Sequence, residues 1–252
     1  MKLLITMSYL GTNFCGYQVQ KNGRTVQGEL TTACAELFGY VCDITGCSRT
    51  DSGVHANMYC AAVSRHGTDS LETSIDISKI PAALNVRLPG DIYVYGAVWV
   101  EDRFHPRYDV KYKEYIYRIY DGGRMIPFEK DRCWISDRHI DDKALCLMDE
   151  AAQYFVGKHD FSSFKAQGSG CTECVRQVKY ASVYRVGECV IFKVAADGFL
   201  YNMVRIMTGT LWSVACGKIV PSDIIGIIDS QDRRRAGITA PPEGLYLNSV
   251  VY

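Results

Sequence analysis

The opening of the chain shows the alternation of a β-strand, because apolar side chains occupy every second position from residue 3 to residue 9. From residue 26 to residue 37 the apolar positions recur at helical spacing, with Thr25 as a candidate N-cap and Gly39 as a stop signal. Further strands are predicted at residues 41–45, 57–63 and 92–100. The first part of the chain therefore combines strands with a helix.

After residue 106 a second series of elements begins. Strands are predicted at residues 111–120, 175–186, 189–196 and 245–251, and helices at residues 144–155, 203–214 and 221–228. Gly157 and Gly217 are the expected ends of the first two helices. Because each half mixes hairpin-like strands with helices, we expect an α+β fold rather than a doubly wound parallel sheet. We predict two subdomains, residues 1–106 and residues 107–252.

Composition places the chain among globular proteins. It has 252 residues, of which 48% are hydrophobic and 22% charged, so disordered and collagen-like classes are excluded. Its 28 basic and 28 acidic side chains give a net charge of zero. The composition therefore does not show the excess of positive charge that is typical of a strongly basic nucleic-acid binder. However, residues 103–130 hold 7 basic against 4 acidic side chains, and residues 158–218 hold 8 against 4. A neutral total can hide a basic face; chance clustering on a solvated surface is the alternative.

The chain has a high number of cysteines, eleven. Because this number is odd, the cysteines cannot all pair within one chain. The N-terminal apolar run is too short for a signal peptide, and no apolar stretch approaches the roughly 18–20 residues that span a bilayer. We therefore expect a cytoplasmic protein with reduced thiols, most of them in the core. The Cys-x-x-Cys at residues 171–174 supplies only two of the four ligands of a structural zinc, so no metal is expected.

The densest group of polar residues lies between two predicted strands, at residues 46–56. It places Arg49, Asp51 and His55 within seven residues, next to glycines that permit tight turns. Asp51 is a candidate nucleophile or base, Arg49 a contact for an anion or a base, and His55 an acid, a base or a packing group. From residue types alone, an Asx-turn with a surface arginine explains the segment equally well.

Residues 49–56 resemble the Gly-Arg-Thr-Asp-x-Gly-Val-His-Ala signature of the tRNA pseudouridine synthase A (TruA) family. Eight further blocks resemble that family in the same order, at residues 9–20, 25–30, 85–92, 104–107, 113–117, 160–164, 199–205 and 243–247. The chain departs from the pattern at Ser48, where glycine is usual, at Ser52, where alanine is common, and at Tyr17, where tryptophan is usual. The replacements at 48 and 52 are small and that at 17 is conservative, so we expect the loop to keep its shape.

The resemblance implies an enzyme that isomerises uridine to pseudouridine in the anticodon stem-loop of tRNA, without a cofactor. Asp51 matches the catalytic aspartate of the family. Arg49 matches the residue that supports base flipping, and Tyr115 the aromatic residue that stacks on the target base. Arg205 matches the basic partner of Asp51. From residue types alone, Tyr115 would be a core residue and Arg205 a surface charge on a helix.

Two further positions follow from the resemblance with less specific roles. His55 belongs to the signature, and we expect it to shape the loop by hydrogen bonding rather than to transfer a proton. Leu247, with the rest of residues 243–247, is expected to line the uracil pocket, where apolar walls exclude water.

The resemblance also implies the architecture and the partners. Both subdomains are expected to form one extended, mainly antiparallel sheet with helices on one side and the active cleft between the halves. A homodimer is expected, with one tRNA bridging two subunits. One alternative is an RNA-binding or RNA-folding protein of the same fold with another RNA target or weak catalysis; Asp51, Tyr115 and Arg205 argue against it. A second is a Cys/His hydrolase, but no cysteine lies in a recognisable nucleophile context.

Overall fold

The chain folds into two units in the computed structural model, which describes residues 1–124, 126–168 and 172–252. The first unit comprises Met1–Lys111 and Leu247–Tyr252, and the second comprises Tyr112–Tyr246. The first unit is thus built from both ends of the chain, whereas the sequence predicts a single division after residue 106. Cys171 of the Cys-x-x-Cys lies outside the described residues.

The first unit is an antiparallel sheet with two helices. Its elements are β1 (Lys2–Tyr9), α1 (Val26–Phe38), β2 (Cys42–Gly46), β3 (His55–Arg65), α2 (Ile80–Asn85) and β4 (Ile92–Val100). Strand β1 lies between β4 and β3, and β2 pairs with β3. Ile5, opposite Ala61 of β3 and Ala97 of β4, has no exposed surface and marks the centre of the core.

Helix α1 is bounded by the two residues that the sequence predicts. The Thr25 hydroxyl accepts a hydrogen bond from the Gly28 N–H at 3.2 Å, and Gly39 ends the helix in the left-handed region with φ 78°. At the far edge of the sheet, the Asn85 carboxamide donates to the Val94 carbonyl at 2.7 Å and accepts from its N–H at 2.8 Å. Asn85 thereby takes the place of a neighbouring strand and limits the open edge of β4.

The second unit contains four antiparallel strands, one short parallel strand and three helices among its described residues. The elements are β5 (Tyr112–Tyr120), β6 (Trp134–Ile135), α3 (Asp142–Gln153), β7 (Gly157–Asp160), β8 (Val175–Val186), β9 (Cys189–Ala196), α4 (Met203–Ala215) and α5 (Asp223–Ser230). The order is β5-β9-β8-β7, with β6 parallel to β5. The last strand, β10 (Leu245–Val251), begins in the second unit and ends in the first.

The α+β class predicted from the sequence is confirmed. Helix α3 ends at Gln153, before the predicted position. Gly157 is not the residue that stops it, since Gly157 begins β7 with φ 121°. No helix in the described part of the chain is long and apolar enough to cross a membrane.

Candidate active site

The loop between β2 and β3 carries Arg49 and Asp51 and is held by the segment that follows β1. The Thr50 hydroxyl lies 2.8 Å from the hydroxyl of Tyr9, the last residue of β1. The Thr50 backbone carbonyl accepts a hydrogen bond from the Tyr17 N–H at 3.2 Å. The Phe14 carbonyl accepts from the Ser52 hydroxyl at 3.1 Å and from the Gly53 N–H at 3.3 Å. Residues 9–17 therefore fix the backbone of the loop on both sides of Asp51.

Two glycines allow this close approach. A Cβ on Gly11 would lie 2.0 Å from the Val54 carbonyl oxygen. Gly16 has φ +91°, and its Cβ would lie 2.7 Å from the Thr50 carbonyl oxygen. Any side chain at these positions would push the loop away from the segment that holds it.

His55, the first residue of β3, is completely buried. Its Nδ1 accepts a hydrogen bond from the Gly11 N–H at 2.9 Å. This bond ties the end of the loop to the turn after β1.

A pair of tyrosines supports the start of the loop. The Tyr59 hydroxyl donates to the Ser48 carbonyl and accepts from the Ser48 N–H at 3.4 Å. The Tyr17 ring stacks on Tyr59 with ring centroids 4.5 Å apart. Burial raises the pKa of both phenols, so they stay protonated and neutral. Tyr59 therefore holds the backbone of residue 48 through both its N–H and its carbonyl.

The loop exposes its two charged residues to different degrees. Arg49 is exposed and Asp51 half-buried, while Thr50 between them is buried. The Asp51 carbonyl accepts from the Val54 N–H at 3.2 Å and closes a turn directly after the carboxylate residue. The candidate carboxylate thus stands on a fixed turn, with an exposed cation two residues before it.

The second unit holds the other two candidates. Tyr115 on β5 is 6% exposed, and its ring meets Phe199 edge-on with centroids 5.0 Å apart. Arg205 lies in the first turn of α4. Its Nε donates to the Ala240 carbonyl at 2.7 Å and its Nη1 to Asn202 Oδ1 at 2.8 Å. Arg205 is therefore not the freely solvated surface charge of the alternative interpretation.

The segment before β10 packs on Tyr117. The Tyr117 hydroxyl donates to the Pro241 carbonyl at 2.7 Å, and a Cβ on Gly244 would lie 2.6 Å from the Tyr117 ring. Leu247, the expected pocket residue, has no exposed surface and belongs to the first unit.

The structure therefore places Arg49 and Asp51 on one loop of the first unit, His55 at the start of the strand that follows it, and Tyr115 and Arg205 in the second unit. Sequence reasoning missed the residues that hold the loop, although Tyr9 and Gly11 stand in the same family-like block as Phe14 and Tyr17. Their presence in that block was the signal that could have found them.

Several cations of the two basic segments are already paired. Arg118 lies 2.8 Å from Glu129, Arg185 binds Asp121 through two bonds of 2.7 and 2.9 Å, and Lys193 lies 3.9 Å from Glu114. Outside these segments, the Arg233 guanidinium donates to the backbone carbonyls at positions 236 and 237. Charge counts along the chain thus overstate the cations that an anionic partner would meet.

The described cysteines are free thiols, and most are buried. Burial raises the pKa of Cys42 to about 11, which makes a reactive thiolate unfavourable there. In the described residues, no group of three or more side chains could hold a metal ion.

A family model described as tRNA pseudouridine synthase matches residues 5–109 and 151–252. The matched segments contain Arg49, Asp51, His55, Arg205 and Leu247, but not Tyr115. The chain is 42% identical over 250 residues to a protein of Thermoanaerobacter sp. (strain X514), covering 99% of each chain. It is 42% identical over 252 residues to one of Acetivibrio thermocellus, covering 100% of this chain and 99% of the other. Both relatives are named tRNA pseudouridine synthase A.

Proposed function

The chain belongs to the tRNA pseudouridine synthase family, and on that premise we propose that Asp51, Arg49, Tyr115 and Arg205 carry out its reaction. The protein isomerises uridine to pseudouridine in tRNA. The observation that supports this reaction is the similarity, over 99% of both chains, to a relative named tRNA pseudouridine synthase A. The fixed turn at Asp51 supports the assignment of residues.

The reaction needs no external reactant. The bond between ribose C1′ and uracil N1 breaks, the base rotates, and C1′ bonds to C5; the proton on C5 leaves and N1 ends protonated. The Asp51 carboxylate can attack the ribose or the base, or assist the deprotonation. We propose Asp51 for this role because the backbone on both sides of it is held by residues 9–17, which keeps the carboxylate in place during the rotation.

The target uridine must leave its stack before the reaction. We assign Arg49 to this step, because its exposed guanidinium stands two residues from Asp51 and can hold the flipped nucleotide. We assign Tyr115 to stacking on the extruded base, and Leu247 with its neighbours to the apolar wall of the uracil pocket. His55 shapes the loop.

We assign Arg205 as the ionic partner of Asp51. A cation beside the carboxylate favours its ionised form, which every proposed role of Asp51 requires. Two hydrogen bonds already restrict the guanidinium of Arg205, so little side-chain entropy is lost on pairing.

The substrate we propose is the anticodon stem-loop of tRNA, bound by a homodimer in the cytoplasm. Because the net charge is zero and several cations are paired, recognition rests on a few local phosphate contacts rather than a strong long-range field. Light scattering at micromolar concentration tests the dimer: a monomeric mass would refute it.

Release of tritium from tRNA labelled at C5 of uridine, with mapping of pseudouridine in the product, tests the assignment. Wild type is expected to be active, and Asp51→Asn to lose all measurable activity while binding tRNA and unfolding at the same temperature. Asp69→Asn, a change of the same kind at an exposed aspartate, is the control. A wild type that binds tRNA without isomerising it would favour the RNA-binding alternative. A fully active Asp51→Asn variant would refute the role of Asp51.

A further inference from the structure

The beginning of α4 departs twice from ordinary helix chemistry. Asn202 occupies the N-cap position in the left-handed region, with φ 59° and ψ 12°, and its side chain makes no capping hydrogen bond. Asparagine at an N-cap usually accepts from the N–H groups of the first turn. Arg205 adds a cation to that same turn, next to the positive end of the helix dipole, which disfavours it.

Both departures are explained by the guanidinium of Arg205. The carboxamide oxygen of Asn202, which would otherwise cap the helix, accepts from Arg205 Nη1 at 2.8 Å. The Ala240 carbonyl accepts from Nε at 2.7 Å. Two acceptors at different nitrogen atoms fix the plane of the group as well as its position.

The acceptor at Ala240 is itself rigid. Its N–H donates to the Arg205 carbonyl at 3.1 Å, so residues 205 and 240 are joined by bonds in both directions. Further along α4, the Gly237 N–H donates to the Thr210 hydroxyl at 2.9 Å. A Cβ on Gly237 would lie 2.4 Å from the backbone of Gly209, so the segment is in direct contact with the helix. The Arg205 guanidinium is therefore held by two acceptors: the side chain of Asn202 and the backbone carbonyl of Ala240.

We propose that Asn202 is a positioning residue of the active site: it gives up capping α4 in order to orient the Arg205 guanidinium. The inference rests on the proposed role of Arg205. Since the substrate need not touch Asn202, its loss should slow the chemical step and leave tRNA binding unchanged.

Single-turnover isomerisation of tRNA tests this with Asn202→Gly, which removes the carboxamide and keeps a residue suited to positive φ. We expect the rate to fall by about 10–100-fold, as misplacement of a catalytic group does. The dissociation constant for tRNA and the unfolding temperature should stay unchanged. The control is Gln231→Gly, which also replaces a carboxamide side chain by glycine at a left-handed position, φ 50° at the end of α5, and should be fully active.

A double-mutant cycle then distinguishes positioning from a general structural effect. Methionine at position 205 has no N–H donor for the Asn202 carboxamide oxygen, so Asn202→Gly should cause no further loss of the residual activity in the Arg205→Met background. A fully active Asn202→Gly variant, or losses that multiply in the double variant, would overturn the inference and leave the role of Arg205 intact. If Arg205→Ala is fully active, the role of Arg205 is itself wrong, and the inference fails with it.

Discussion

Replacing His55 separates a role in loop shape from a role in chemistry. The imidazole is completely buried, and its Nδ1 accepts from the Gly11 N–H at 2.9 Å. Alanine would leave that N–H buried without a partner, which costs about 1–3 kcal/mol. It would also leave a cavity of ring size, for which large-to-small core changes suggest a further loss of about 2–3 kcal/mol. We therefore expect His55→Ala to lower the free energy of unfolding by about 3–6 kcal/mol.

Urea unfolding measures this loss. With a slope of about 2 kcal/mol per molar urea, the midpoint should fall by about 2 M. His55→Asn is the matched variant, because its Oδ1 stands as many bonds from Cα as Nδ1 does and can accept from Gly11. We expect asparagine to recover about half of the lost stability, since it restores the acceptor but not the volume of the ring.

Activity of the asparagine variant decides between the two roles. If His55 only shapes the loop, His55→Asn should isomerise tRNA within about tenfold of wild type at temperatures where it is folded. A folded variant slowed by about 10³-fold, within the range for loss of a general acid or base, would show that His55 transfers a proton. Alternatively, an alanine variant as stable as wild type would show that the bond to Gly11 contributes nothing.

Three further predictions concern packing, pH and salt. Gly46→Ala places a Cβ 2.1 Å from the Tyr59 hydroxyl, so we expect calorimetry to show a loss of about 1–3 kcal/mol and activity to fall because Tyr59 holds Ser48. Burial acts to raise the pKa of Asp121, but bonds from Arg185 and the Ile140 N–H hold it below its ordinary value. Asp121 thus stabilises the fold above its unfolded pKa of about 3.9, and this contribution is lost as pH falls through the lower folded pKa; Asp121→Asn should show a shallower loss of stability on acid titration. The dissociation constant for tRNA should rise about tenfold between 50 and 200 mM salt, as expected for a few phosphate contacts, and a flat profile would contradict local ionic binding.

Long periodic elements were predictable from the sequence. Strand β4 has the predicted bounds, and α1 has the predicted cap and stop, because both depend on local chemistry. Helix α2, with six residues and an internal proline, has too few turns to show a helical period. Strands β6 and β7 contain two and four residues and depend on pairing with β5 and β8. Such short pieces are specified by tertiary contacts rather than by local pattern.

The candidate site was predictable only as far as its residues are neighbours in sequence. Arg49, Asp51 and His55 form one segment, and their types alone indicate a functional loop. One of the two acceptors of Arg205 lies 35 residues further on, at the backbone carbonyl of Ala240, which no side-chain pattern can reveal. The pairing of the basic segments was predictable only in part, since Arg118 pairs with Glu129 of its own segment but Arg185 pairs with Asp121, 64 residues earlier.

Asp51 and Arg205, the two members of the proposed ion pair, are fixed by different means, and side-chain length explains why. Asp51 has a short side chain, so holding its backbone is enough to place the carboxylate; the close contacts at Gly11 and Gly16 do this. Arg205 has a long side chain with far more rotamer entropy to lose, and a fixed backbone would leave its guanidinium free to move. It needs acceptors at the guanidinium itself, which Asn202 and Ala240 provide. Substitutions that impair Asp51 should therefore act through glycines and loop contacts, whereas those that impair Arg205 should act through removal of single hydrogen-bond acceptors.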